Sequence, residues 1–131
     1  MCIRDREIAV LNQKKNTEKF SFHRDNLLKG LLVNNSGLEI NGSMKERLPH
    51  NLNVTVFDVN GSKLHKSLKS KIICSSGSAC SNGKPSHVLL ALGRSFKEAE
   101  ASLRFSIGLT TTTEDIEKSI QIITETIKSL R

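Results

Sequence analysis

The sequence predicts an α+β fold, with a small sheet of three or four mostly antiparallel strands and helices packed on one face. Two observations favour this class. Short segments rich in β-branched residues alternate with segments of helical periodicity, and Asn-Gly pairs at 41–42 and 60–61 mark turns beside the strand candidates. The 131 residues are enough for one hydrophobic core but not for two.

Four segments are strand candidates: 38–40, 53–59, 72–73 and 103–107. The segment 53–59, NVTVFDV, is the strongest because Val54 and Val56 share a face and β-branched residues dominate it. In the last segment, LRFSI, apolar and polar residues alternate, which places Arg104 on the face opposite the apolar side chains.

Helices are expected over 7–15, from Ser21 or Asp25 to residue 34, and over 62–70, 88–92, 96–101 and 112–130. The last is the clearest, because Thr112 and Asp115 have the spacing of a capping box. One apolar stripe then follows at intervals of three and four residues, which is typical of core packing: Ile116, Ile120, Ile123, Ile127 and Leu130.

The domain prediction separates residues 1–19 from residues 20–131. The first six residues, MCIRDR, show no clear pattern, and the rest of the first range is expected to be the tail of an interdomain helix. Residues 20–131 are expected to form one small C-terminal domain that carries a loop with a cysteine.

Composition limits the partners. The formal charge is +7, but the basic residues are scattered and no aromatic platform accompanies them, so no nucleic-acid partner is expected. No apolar run reaches the length of a membrane span, and no membrane association is expected. Three cysteines are too few for a secreted disulfide scaffold, which favours a reducing, cytoplasmic setting.

The segment IICSSGSACSNGKPSHVLLAL, residues 72–92, has the pattern of strand, loop and helix. Cys80 stands in the middle of the loop among small residues. A phosphate-binding loop is disfavoured, because five residues separate Gly77 from Gly83 and a proline replaces the hydroxyl residue after Lys84. A structural zinc site is also disfavoured, since only Cys74, Cys80 and His87 are within reach, so no metal is expected.

Three interpretations of the thiol remain open on the residues alone. A redox disulfide between Cys74 and Cys80 has a spacing that matches no thiol-exchange motif. A lone nucleophile is favoured by nearby backbone amides and a helix start, which stabilise a thiolate. An unreactive surface thiol is the third interpretation, and spacing does not decide among them.

Three ordered motifs carry a resemblance to a known family: RLPHNLNVTVFDV, then SSGSACS followed by PSHVLLALG, then SLRFSIGLTTTTEDI. They resemble the C-terminal small domain of class I cysteine desulfurases of the NifS/IscS type, which are fold-type I enzymes dependent on pyridoxal phosphate (PLP). The resemblance covers about residues 20–131, and the SGSAC loop distinguishes this class from class II relatives.

The resemblance implies roles for individual residues. Cys80 matches the cysteine that attacks the sulfur of PLP-bound L-cysteine, giving L-alanine and a persulfide on Cys80 for transfer to an acceptor. Arg104 matches the arginine that binds the substrate carboxylate. The remaining loop residues match positions that allow the loop to move: Ser76, Gly77, Ser78, Ser81 and Gly83. His50 and His87 match no catalytic role.

The resemblance also implies what this chain lacks. The PLP-bearing lysine belongs to the family's large domain, and no cofactor-binding residue is matched here. Expected partners are L-cysteine, a sulfur acceptor or iron–sulfur scaffold protein, the large PLP domain and a second subunit in a homodimer. The chain alone is expected to be inactive. The alternative is a non-enzymatic interaction or persulfide-carrier module.

Overall fold

The computed structural model describes residues 3–75 and 85–131. Within them the chain forms six helices and three strands. In chain order these are α1 (Ile3–Leu11), α2 (Gln13–Asn34), β1 (Leu38–Ile40), β2 (Asn51–Val56), α3 (Gly61–Leu68), α4 (His87–Ala91), α5 (Phe96–Glu100), β3 (Ser102–Ser106) and α6 (Thr113–Leu130).

The strands form one antiparallel sheet in the order β1-β2-β3, which confirms the α+β class. The register pairs Val54 with Ile40 on one side and with Leu103 on the other. Because side chains alternate along each strand, this register gives the sheet one apolar and one polar face.

The apolar face is the floor of the core. Helices α2, α3 and α6 supply most of the other apolar side chains of the same buried cluster. Its most deeply buried members are Leu31, Leu52, Val54, Leu64, Leu68, Leu103, Ile123 and Ile127. Burial of apolar side chains of this size is the main stabilising contribution to a domain of this length.

Helix α6 has the predicted start. The Thr112 hydroxyl accepts a hydrogen bond from the Asp115 amide at 3.1 Å, and the Asp115 carboxylate accepts one from the Thr112 amide at 2.9 Å. These two bonds satisfy amides that the first helical turn leaves unpaired. The capping box is therefore confirmed, and the predicted stripe faces the core.

The predicted start of the second helix was wrong. Helix α2 begins at Gln13 rather than at Ser21 or Asp25, because neither glycine nor proline interrupts residues 13–25. The helix passes through the expected boundary at residue 19, and the division into 1–19 and 20–131 stays a prediction. Residues 6–15, which include most of α1 and the start of α2, are exposed.

Two strand predictions also need correction. Strand β2 ends at Val56, since Asp58 adopts a positive φ of 61°, and Asn60 caps helix α3 by accepting a hydrogen bond from the Lys63 amide. Residues 72–73 are not a strand. The chain instead makes one isolated antiparallel bridge at Ser75, beside Arg104.

Helix α3 begins against the end of helix α5. A Cβ atom added at Gly61 would collide with the backbone carbonyl of Glu100 and with the amide of Ala101. Glycine at this position therefore permits a backbone approach that no other residue allows. None of the described helices combines the length and apolar character required to cross a membrane.

Candidate functional site

The site lies on the polar face of the sheet, where one row of residues crosses β2 and β3 and includes one residue on either side of them. Asn53 of β2 pairs with Arg104 of β3. On one side of this pair, the backbone amide of Asn41 donates to the backbone carbonyl of Asn53 at 2.9 Å. On the other, Ser75 bridges to Arg104. The row therefore runs Asn41, Asn53, Arg104, Ser75.

Ser75 is held to Arg104 by two backbone hydrogen bonds. The Arg104 amide donates to the Ser75 carbonyl at 2.8 Å, and the Ser75 amide donates to the Arg104 carbonyl at 3.1 Å. Ser75 immediately precedes residues 76–84, so the chain enters this segment from a fixed point beside Arg104. Cys80 and the other predicted loop residues, Ser76, Gly77, Ser78, Ser81 and Gly83, lie outside the described residues.

A cleft of about 420 Å³ opens over three residues of this row, Asn41, Asn53 and Arg104. Its lining includes Asn53 and Arg104 of the sheet and the first residues of helix α4. Its lining residues are Asn41, Glu46, Arg47, Leu48, Asn51, Asn53, Ser86, His87, Val88, Leu89, Leu92 and Arg104. Ser86 and His87 follow the segment 76–84 closely and line the cleft, while Ser75 before the segment pairs with Arg104, which also lines it.

The cleft is suited to an anion because two arginines, Arg47 and Arg104, line it against one carboxylate, that of Glu46. Arg104 is partly buried, and its guanidinium has no ion pair with any described carboxylate. Arg47 also lines the cleft, where it donates hydrogen bonds to the carbonyls of Asn41 and Ser43. Burial, with a smaller contribution from the charge of Arg24, lowers the pKa of Arg47, but a guanidinium stays cationic in proteins.

A buried hydrogen-bond network lies beside the row on the same face of the sheet. The Asn41 side-chain amide donates to Asn53 Oδ1 at 2.7 Å and to Thr55 Oγ1 at 2.9 Å. The Thr55 and Ser102 hydroxyls lie 2.8 Å apart, and both residues are buried. Arg94 donates from Nε to Asn41 Oδ1 at 2.7 Å.

Sequence analysis missed Asn41, Asn53 and Arg94. Asn41 looked like part of a turn, because Asn-Gly pairs usually are turns. A signal for Asn53 was available: Asn51, Asn53 and Thr55 alternate with apolar residues along one strand, which indicates a polar face. Nothing local marks Arg94, which reaches the network from a distant point in the sequence.

Of the remaining described candidate residues, Cys74 and His50 do not line the cleft, whereas His87 does. Cys74 is half-buried beside the core, and burial raises the pKa of its thiol, which opposes the thiolate form. His50 contacts the Phe20 ring edge-on, while His87 lines the cleft. Over residues 3–75 and 85–131, no three potential metal ligands come together.

Comparison with known proteins gives this arrangement a family. The family model described as aminotransferase class-V matches residues 9–118. The chain belongs to this family. The match includes β1, β2, β3, the segment 76–84 and Arg104, so it covers the whole candidate site as well as most of the core.

Proteins named cysteine desulfurase IscS are similar in sequence to this chain. The protein from Methylococcus capsulatus is 43% identical over 126 residues, and the protein from Methylobacillus flagellatus is 46% identical over 110. These alignments cover 95% and 82% of this chain, but 31% and 27% of the relatives. The chain thus spans about a third of the length of the curated relatives it matches.

Solved structures of class-V relatives have the same fold. A protein described as NifS-like superimposes with a TM-score of 0.82 at 26% identity, covering 97% of this chain and 32% of that structure. A NifS-like protein from Rickettsia africae superimposes with a TM-score of 0.74 at 30% identity. This match covers 89% of this chain and 30% of the Rickettsia africae chain.

Proposed function

We propose that this chain is the sulfur-carrying small domain of a PLP-dependent cysteine desulfurase. The relatives named cysteine desulfurase support the reaction. The observation that carries the proposal for this chain is the double backbone hydrogen bond between Ser75 and Arg104. It brings the start of the segment containing Cys80 against an arginine that lines an open cleft.

Arg104 is proposed to bind the α-carboxylate of L-cysteine. A guanidinium presents a planar pair of donors that matches a carboxylate, and such charge-assisted pairs are stronger than neutral hydrogen bonds. The absence of an ion pair to Arg104 among the described residues leaves this pair of donors for a ligand.

Cys80 is proposed to be the sulfur acceptor. It is five residues from Ser75 and five from Pro85, so each tether spans at most about 17 Å. That reach includes the cleft. The thiolate attacks the substrate sulfur, the S–S bond forms and the substrate C–S bond breaks. The electron pair of the broken bond stays with carbon, which takes a proton to give L-alanine.

PLP does not fit the described residues of this chain. A lysine is required to hold it as a Schiff base, and none of the side chains lining the cleft is a lysine. We therefore propose that a separate large domain binds PLP and presents L-cysteine to this cleft. The same proposal includes a second such subunit, a cytoplasmic location and an acceptor such as an iron–sulfur scaffold protein.

The test compares two cysteines in the desulfurase that contains this chain. Cys80→Ala is expected to abolish persulfide formation and alanine release from L-cysteine while PLP stays bound. Cys74→Ala is the matched control and is expected to retain both, because Cys74 is half-buried and its raised pKa opposes thiolate formation. Persulfide labelling and the absorbance of bound PLP measure the two properties separately.

Turnover in the Cys80→Ala protein would reject the proposed role. The 131-residue chain alone, mixed with PLP and L-cysteine, is expected to release no sulfide. If it instead accepts sulfur from a separate persulfide donor and passes it on without PLP, it is a persulfide-carrier module rather than part of an enzyme.

A further inference from the structure

The side-chain amide of Asn41 has a defined orientation. Arg94 donates from Nε to the Asn41 side chain at 2.7 Å, and a guanidinium has donors only. The Asn41 atom at this position is therefore the oxygen. Arg94 is itself held by Glu39 at 2.8 Å and lies over the Phe57 ring, so this orientation is imposed from outside the cleft.

The orientation passes on to Asn53. With its oxygen facing Arg94, Asn41 presents its NH₂ group to Asn53 at 2.7 Å, and the Asn53 atom that accepts this hydrogen bond is its oxygen. The other polar atom of the Asn53 side chain, Nδ2, therefore takes no part in the bond to Asn41. Among residues 3–75 and 85–131 it has no hydrogen-bond acceptor.

The backbone brings Asn53 close to Arg104. Because the amide and carbonyl of Arg104 both bond to Ser75, they point away from β2, and Asn53 and Arg104 are a non-hydrogen-bonded antiparallel pair. The Cα atoms of such a pair are about 4.5 Å apart, with their side chains closer than in the hydrogen-bonded kind. Both side chains line the cleft.

Two donors of different kinds are thus placed side by side, one charged and one neutral. We infer that Asn53 Nδ2 donates a second hydrogen bond to the substrate carboxylate bound by Arg104, and that Arg94 positions it through Asn41. This inference depends on the proposed function. An amide fixed in this orientation favours a carboxylate, which only accepts hydrogen bonds, over a group that also donates.

The central test is Asn53→Asp in the complete desulfurase. The change preserves shape but replaces the donor with a negative charge facing the substrate carboxylate. The KM for L-cysteine is expected to rise at least tenfold, because a hydrogen bond to a charged group is lost and repulsion is added. Asn34→Asp is the matched control: it makes the same substitution at an exposed residue that does not line the cleft, and its KM is expected to stay within about threefold.

Asn53→Ala gives a second measurement that does not depend on the added charge, and a KM increase of about tenfold is expected. Bound PLP and circular dichroism identify variants that fail to fold. An unchanged KM in folded Asn53→Ala overturns the inference. The proposed function is tested separately by Arg104→Lys. An unchanged KM in that variant would contradict the proposed role of Arg104.

The role of Arg94 is tested by Arg94→Met alone and combined with Asn53→Ala. Arg94→Met frees the Asn41 amide to rotate, so the KM is expected to rise with kcat nearly unchanged. The double variant is expected to have the KM of Asn53→Ala, because Arg94 acts through Asn53. Additive effects in the double variant would overturn the positioning role, since a merely structural contribution would add.

Discussion

The two faces of the sheet differ in what their buried residues do. On the apolar face, Leu52, Val54 and Leu103 are fully buried beneath the helices. On the polar face, Thr55 and Ser102 are equally buried, but their hydroxyls lie 2.8 Å apart and the Thr55 hydroxyl also bonds to Asn41. Farther along the same strands, Asn53 and Arg104 face an open cleft. One face stabilises the domain, whereas the other aligns donors at a site.

The largest expected effect comes from breaking the apolar face. Leu103→Ala removes a fully buried side chain from the centre of the core and is expected to lower the free energy of unfolding by about 2–5 kcal/mol. Urea denaturation of the chain measures this. Leu109→Ala serves as the control, because Leu109 is exposed and its loss is expected to have little effect. Equal losses for the two variants would contradict the assignment of the core.

Arg104 is the next residue in the chain and lies on the opposite face. Arg104→Lys is expected to leave the urea midpoint of the chain nearly unchanged, because the guanidinium has no ion pair with described residues. In the complete desulfurase it is expected to lower kcat/KM for L-cysteine by about a hundredfold, because an ammonium group cannot form the bidentate pair.

The two neighbours therefore separate stability from activity. If Arg104→Lys unfolded the domain as Leu103→Ala is expected to do, the polar face would have a structural role at this position. If instead kcat/KM stayed unchanged in a folded variant, the carboxylate assignment would be wrong.

The smallest expected effect concerns His65, a polar residue on the helical side. Burial lowers the pKa of His65 from its usual value near 6.5, although the backbone carbonyls of Glu100 and Ser102 act in the opposite direction. The folded state thus favours the neutral ring. This contribution to stability is fully present above about pH 6.5 and is lost as the pH falls below that value toward the lowered pKa.

The measurement is the difference in urea midpoint between pH 7.5 and 5.5, compared for the native chain and for His65→Gln. The native chain is expected to lose more stability on acidification than the variant. The lowered pKa values of Glu98 and Asp115 act below this window, so they do not interfere. The same loss in both proteins would show that His65 is not the titrating group.

Local signals predicted part of this structure well. The capping box of α6 and the alternation of Leu103, Arg104 and Phe105 depend only on neighbours in the sequence, and both are confirmed. Residues 72–73 have β propensity but were wrongly predicted as a strand, since no strand among residues 3–75 and 85–131 pairs with them. Only Ser75 reaches one.

The site was predictable only in part. Arg104 was identified as a candidate from its motif and its strand face, and its substrate role stays a prediction, as do the roles of Cys80 and of its loop neighbours. The orientation of Asn53 depends on Asn41 and Arg94, which are separated by more than fifty residues in sequence. Contacts of that kind have no periodic or local signature.

Gly61 links the packing of helix α3 to the geometry of the site. Its missing side chain lets helix α3 dock on the carbonyl of Glu100, where the chain passes into β3. Strand β3 starts two residues later and reaches Arg104 after two more. A single methyl group at position 61 would consequently displace the start of that strand. The displacement would also shift Arg104 relative to Asn53 and so misalign their donors. The smallest residue of α3 thus acts as a spacer for a site that it never touches.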